Sequence, residues 1–543
     1  MLRSLIRPGA LRAAAVLSVA LSAVLLPSGV DTAFAAPANH AAAGAGPAAG
    51  KPKVRPQGRG KRRTRTRRTI RRTGALRAPS APPWTSPNGL NALSADLGDM
   101  LSSRVRGGKW GVMVVSLTRG DTLFSQNAGE MMQPASTMKL FSTAAALDRF
   151  GPEYTFSTDV LRDAAPVGAD GTVTGNIYLR GDGDPSMSSR FWKDPNYPMN
   201  ALARAVAAKG IKHVKGDLVY DASAFDDQKI PEGWKSSYLG AAYAARVSAL
   251  SLNENLVWVV VDPSNGKASV TLEPATTAIP VTNHVRVVRG SGGRIVARQR
   301  DDGIDVSGSV GANSGPLRYS LVVPDPALFT AGALRAALQG AGVTVDGAIK
   351  PGKTPANADK VASFASPPLS QIVSEMNRES INIVAELLFR DAARASAPNG
   401  VGTAASGLAN MRDFLSKKVG ASANAIDVHD GSGLSTLDYL TPRLMIQLLS
   451  YAHHGPWSSA FHGSLPVAGE SELLRRRMRA TPAQGNLHAK TGTTNTVVGL
   501  GGYVTAKDGE IVAFSFLYNG GDRWNAKSAM DAMGATLANF VRE

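Results

Sequence analysis

Apolar positions along this chain follow different periods in different stretches, and the changes of period mark its parts. Residues 13–26 form a nearly continuous small and apolar run. From 36 to about 83 no apolar period exists, and Ala, Pro, Gly, Arg and Thr dominate. Such a segment cannot bury enough surface to offset its ordering entropy, so no fixed fold is expected there. Patterned sequence starts near Trp84. Residues 110–117 read as a strand, Thr118-Arg119-Gly120-Asp121 as a turn, and 122–124 as the strand's return. After Pro134, the spacing of Leu140, Phe141, Ala144 and Leu147 predicts a helix over 136–150.

The middle of the chain reads as short strands broken by Gly, Pro and Asp, at 175–180, 216–220, 257–261, 268–272 and 285–288. A β-rich inserted domain over 158–342 accounts for them better than one long loop. Mixed character then returns. Residues 369–393 and 441–452 read as helices, the second with Pro442 in its first turn. Strands are expected at 487–491, 499–505 and 511–517, and an amphipathic helix at 526–541. The pattern is that of an α+β domain, 84–157 and 343–543, interrupted by the insert.

Charge changes the picture only once it is located. The formal net charge is +18, from 60 Lys/Arg and 42 Asp/Glu. Residues 51–72 hold 12 Lys/Arg and no acid. Taking away these twelve, Arg77, the three arginines Arg3, Arg7 and Arg12, and Asp31 leaves 44 cations against 41 acids. The basicity therefore belongs to the N-terminal tail, and residues 51–77 suit anionic wall polymers or lipid headgroups. Arg3, Arg7 and Arg12 before the apolar run, and Ala33-Phe34-Ala35 after it, have the form of a secretory signal over 1–35. Export argues against nucleic acid as the tail's partner. The chain has no cysteine, which removes disulfides, thiolate catalysis and Cys-ligated zinc. No histidine spacing suggests a metal, and no cofactor is expected.

Three short motifs carry the candidate chemistry: Ser136-Thr137-Met138-Lys139, Ser380-Ile381-Asn382 and Lys490-Thr491-Gly492-Thr493. Ser136 opens a helix, and Lys139 lies three residues on, on the same face. A serine hydroxyl needs a base to attack, and a lysine serves only if burial or another cation lowers its pKa. Lys490 can be that cation. Ser380 can relay a proton, and Asn382 can fix Lys139 or a substrate carbonyl. Gly492 inside a strand suggests close backbone approach. Lys490 and Thr491 suit a carboxylate, and the N–H groups of Thr493 and Ser136 could form an oxyanion hole. Each motif alone has a plainer meaning, helix capping or a strand end. His488 has no Asp and Ser arranged around it in the order of a triad.

The ordered set S-x-x-K, S-x-N, K-T-G resembles that of penicillin-binding proteins and serine β-lactamases. Gly183-Asp184-Pro185-Ser186, Gly216-Asp217-Leu218-Val219-Tyr220-Asp221 and Asp430-Gly431-Ser432-Gly433-Leu434-Ser435 resemble further segments of one class. That class is the low-molecular-mass D-Ala-D-Ala carboxypeptidase/endopeptidases with a large insert between the first two motifs. The resemblance implies a penicillin-binding/β-lactamase-like transpeptidase fold, an antiparallel sheet with helices. It implies peptidoglycan stem peptides as substrates, β-lactams as inhibitors, and an acyl-enzyme on Ser136 with Lys139 as base. Ser380, Asn382 and Lys490 would complete the proton relay, and Thr491 and Thr493 would hold the terminal carboxylate. An aspartate on the insert would meet the amino end of a diaminopimelate side chain, and Asp221 is the candidate. The alternatives are a serine β-lactamase or esterase on the same fold, or a catalytically dead wall-binding protein. The 240 residues between Lys139 and Ser380 argue against a class A β-lactamase.

Overall fold

The computed structural model describes residues 83–543. The expected signal (1–35) and the basic segment up to residue 82 lie outside the described residues. Five antiparallel strands form the central sheet, in the spatial order His488–Thr493, Val497–Thr505, Ile511–Asn519, Lys109–Ser116, Thr122–Gln126. Alternation along Ile511–Asn519 shows how both faces are covered. Val512, Phe514, Phe516 and Tyr518 enter one apolar cluster with the helices Leu90–Ser103 and Arg523–Ala538. Ala513 and Leu517 enter the other, with Lys139–Phe150, Asn382–Arg394 and Pro442–His454.

One region of the sheet is bare of side chains on the second face. A Cβ on Gly499 would lie 2.9 Å from Thr137 Cγ2, and one on Gly501 2.6 Å from Met445 Sδ. With hydrogen there instead, the segment carrying Ser136 rests on strand backbone.

The chain leaves this domain at Phe156 and returns at Ser366. Phe156 N donates to Ser366 Oγ at 2.9 Å, and Ser366 N donates to Phe156 O at 3.0 Å. Between them stands a mixed sheet in the order Ile349–Pro351, Leu218–Asp221, Ile177–Gly181, Ser157–Arg162, Asp359–Ala365. Its first three strands are parallel, and the helices Tyr197–Ala208 and Pro326–Gly340 lie in the connections between them. Two three-stranded sheets complete the insert. One joins Leu256–Asp262 to Ser269–Glu273 and Leu317–Val322; the other joins Val281–Val288, Gly303–Gly311 and Gly293–Arg300.

The insert extends past the expected boundary at 342. Asp359–Ala365 pairs antiparallel with Ser157–Arg162 and so belongs to the insert's sheet. Periodicity within 343–365 cannot show a partner some two hundred residues earlier. The expected single helix over 369–393 is two helices, Leu369–Glu379 and Asn382–Arg394. The break falls at Ser380, whose left-handed φ of 59° ends the first helix.

Candidate active site

The nucleophile candidate sits on a single 3-10 turn, Ala135–Met138, which runs directly into the helix Lys139–Phe150. Ala135 before it has φ 47°, an uncommon value for a residue with a side chain. Gly433 packs against that turn: a Cβ there would lie 1.9 Å from Ala135 O. Gly492 does the same from the sheet, its Cβ position lying 2.8 Å from Pro134 O and 3.2 Å from Ser136 N. The close approach expected at Gly492 is thus to the nucleophile's own segment.

Lys139 is fully buried. Its Nζ donates to Asn382 Oδ1 at 2.6 Å, to Ser432 O at 2.8 Å and to Ser136 Oγ at 3.1 Å. Burial pushes it down to about 8, against the opposing pull of Asp430, Glu386 and Asp438. Lys490 is also fully buried, and its Nζ donates to Ser380 Oγ at 2.8 Å and Thr491 O at 2.9 Å. Burial, and then the charge of Lys139, hold Lys490 well below the ordinary lysine range. The left-handed backbone of Ser380 places its hydroxyl at the helix break, toward Lys490.

Five of the expected residues, Ser136, Lys139, Ser380, Asn382 and Lys490, are therefore joined by hydrogen bonds into two lysine-centred groups. A cleft of about 330 Å³ lies over them, lined by Ser136, Ser380, Asn382, Thr493, Arg523 and the tyrosines Tyr238 and Tyr243, among others. Thr493 Oγ1 donates to Gly492 O at 2.7 Å. Thr491 is half-buried on the same strand and does not line the cleft.

Asp221 is elsewhere. It ends a strand of the insert's mixed sheet, where Oδ1 accepts from Ser223 N at 3.0 Å and Oδ2 from Thr354 N at 2.7 Å. Burial alone would raise its pKa, but those backbone N–H bonds outweigh it and hold the carboxylate low. It is buried, both its oxygens are taken by backbone N–H groups, and it does not line the cleft that holds Ser136. His488 lines a separate groove with His453 and His462.

Several groups that shape the site were not singled out as site residues. Asp430 Oδ1 accepts from the N–H groups of Ser432 and Gly433, and its Oδ2 from Ser435 N and Trp234 Nε1 at 2.7 Å each. This carboxylate turns the Ser432 carbonyl toward Lys139. Glu386, pushed up to about 7 by burial, accepts from Gly431 N and pairs with the fully buried Arg390 at 3.1 Å. From the insert, Asn382 Nδ2 finds the Tyr243 carbonyl at 2.8 Å. Arg523 comes from the start of the last helix, and its Nη1 donates to Thr494 O at 2.8 Å. Asp430 falls in a motif already noted; Tyr238, Tyr243 and Arg523 carry no local signal.

The D-Ala-D-Ala carboxypeptidase 3 (S13) family matches residues 93–540. The chain belongs to this family. It is 34% identical over 474 residues to a D-alanyl-D-alanine carboxypeptidase of Actinomadura sp. (strain R39), covering 83% of this chain and 85% of that protein. It is 24% identical over 437 residues to the D-alanyl-D-alanine carboxypeptidase DacB of Haemophilus influenzae, covering 78% and 88%. In fold it is similar to the crystal structure of penicillin binding protein 4 (dacB) from Haemophilus influenzae. There the TM-score is 0.67 at 23% identity, over 80% of this chain and 98% of that one. A structure of that protein complexed with a β-lactam matches with a TM-score of 0.63 at 22% identity, over 80% and 97%. This S13 member is a serine D-Ala-D-Ala carboxypeptidase with the large insert expected of it.

Proposed function

We propose that the chain removes the terminal D-Ala of peptidoglycan stem peptides through an acyl-enzyme on Ser136. The observation that carries this is the 3.1 Å hydrogen bond between Ser136 Oγ and a buried Lys139 whose pKa is about 8. Two buried lysines in mutual repulsion share a proton between them. A substrate carboxylate bound by Arg523 and Thr493 favours that proton on Lys490 and leaves Lys139 neutral. Lys139 then takes the Ser136 proton as Oγ attacks the penultimate D-Ala carbonyl. The N–H groups of Ser136 and Thr493 receive the oxyanion. As the C–N bond breaks, the leaving amine takes a proton from Ser380 Oγ, which Lys490 replaces. Deacylation runs in reverse: water yields a proton through Ser380 to Lys490, its oxygen attacks the ester, and Lys139 returns a proton to Ser136 Oγ.

A class A β-lactamase reading would need a carboxylate to activate the deacylating water. None of the described residues lining the cleft is Asp or Glu, and Glu386 is held by Gly431 N–H and Arg390. This supports a long-lived penicilloyl-enzyme. The signal-like sequence of residues 1–35 supports action outside the membrane, and the charge of residues 51–77 suits anionic polymers of the wall or lipid headgroups. Intact mass of the protein after benzylpenicillin, beside Ser136→Ala, tests the assignment. A stable adduct on the native chain alone is expected. Drug consumed without adduct would revive the β-lactamase, and intact drug without adduct an esterase or an inactive binding protein. N-terminal sequencing of the secreted protein tests cleavage after Ala35.

A further inference from the structure

The insert closes the cleft with two aromatic rings. Tyr238 and Tyr243 meet edge to face, with centroids 5.9 Å apart, and Tyr243 is 51% exposed. The Asn382 amide donates to the Tyr243 carbonyl and ties the backbone of that residue beside the acylation site. Such a pair could take an ammonium group by cation–π attraction. However, Lys235 Nζ already lies 5.9 Å from the Tyr238 centroid. The cleft's own cation, Arg523, is matched by the substrate's carboxylate, and no Asp or Glu among the described lining residues offsets Lys235. A further ammonium at the tyrosines would face like charge with no counter-ion. A neutral, partly apolar group such as an N-acyl or amide meets two aromatic faces and keeps its hydrogen bonds to water.

We propose that the Tyr238–Tyr243 wall selects stem peptides whose side chain before D-Ala-D-Ala carries no free ammonium, because its amine is acylated. This rests on the carboxypeptidase reading and names the substrate class of that site. The test is the ratio of kcat/KM for Nα,Nε-diacetyl-L-Lys-D-Ala-D-Ala over Nα-acetyl-L-Lys-D-Ala-D-Ala at pH 7. A ratio of about tenfold or more is expected, shrinking as salt rises, since like charges a few ångströms apart in a wet cleft repel by that order. Lys235→Glu and Tyr243→Glu, each checked for fold by circular dichroism, should both pull the ratio toward or below one. A wild-type ratio at or below one, or a ratio unmoved in both variants, overturns the proposal. Cleavage of neither peptide by a chain that benzylpenicillin still acylates overturns the carboxypeptidase reading, and the proposal with it. Cleavage of both at equal rates overturns the proposal alone.

Discussion

Asn382 holds Lys139 with one end of its amide and the insert with the other: Oδ1 accepts from Lys139 Nζ at 2.6 Å, and Nδ2 donates to Tyr243 O at 2.8 Å. The base is thereby positioned through a residue that also anchors the cleft wall. Asn382→Asp places an anion against the ammonium and favours its charged form. The midpoint of the pH profile for penicillin acylation should move upward by about one unit or more. Asn382→Ala removes an acceptor instead, and its midpoint should not rise. Stopped-flow acylation rates across pH distinguish the two.

The native chain has its own pH dependence. The relay works with a single proton on the lysine pair, and Lys139 loses its proton with a pKa of about 8. Acylation of Ser136 should therefore fall about tenfold from pH 7 to pH 9 as that proton is lost. A rate that rises over this range would overturn the shared-proton relay.

Ser380→Ala removes the hydroxyl to which Lys490 donates at 2.8 Å. Loss of a positioned proton donor costs on the order of 10²–10⁴ in rate. Peptide hydrolysis should fall by that amount while the melting temperature changes little, measured by D-Ala release and thermal unfolding.

Gly492→Ala would put a methyl group 2.8 Å from the Pro134 carbonyl and 3.2 Å from Ser136 N. Backbone cannot step aside as a flexible side chain can, so the nucleophile's turn must shift. Acylation should drop about a hundredfold, because an ångström of misplacement costs that much. Benzylpenicillin kinetics check it.

Arg390 pairs with Glu386 in a fully buried setting. Arg390→Met leaves Glu386 without its cation and should destabilise the fold by about 3–5 kcal/mol, read from urea unfolding.

Those residues also show what a linear reading can reach. Strands and helices of the main domain follow from apolar period alone, because each element's burial is written within its own span. The five residues of the two lysine groups were legible because the fold spaces them as short motifs. Ser380 ending a helix was not, since a left-handed backbone at a serine leaves no mark in the apolar period around it. Asp221 is named from the resemblance alone, and a local match cannot show that both carboxylate oxygens are taken by the N–H groups of Ser223 and the distant Thr354. Arg523, Tyr238 and Tyr243 reach the cleft through tertiary placement alone.

The insert enters and leaves through one doorway, where Phe156 and Ser366 exchange hydrogen bonds. In evolutionary terms it is a cassette: residues 157–365 could be gained, lost or traded as a unit without rerouting the peptidase chain. Yet the same cassette supplies the carbonyl that steadies Asn382 and the rings that face the substrate. Exchanging it would therefore be a way of changing which wall peptides are trimmed while leaving the bond-breaking groups untouched, and recombination at that doorway offers a route to new specificity on an old catalyst.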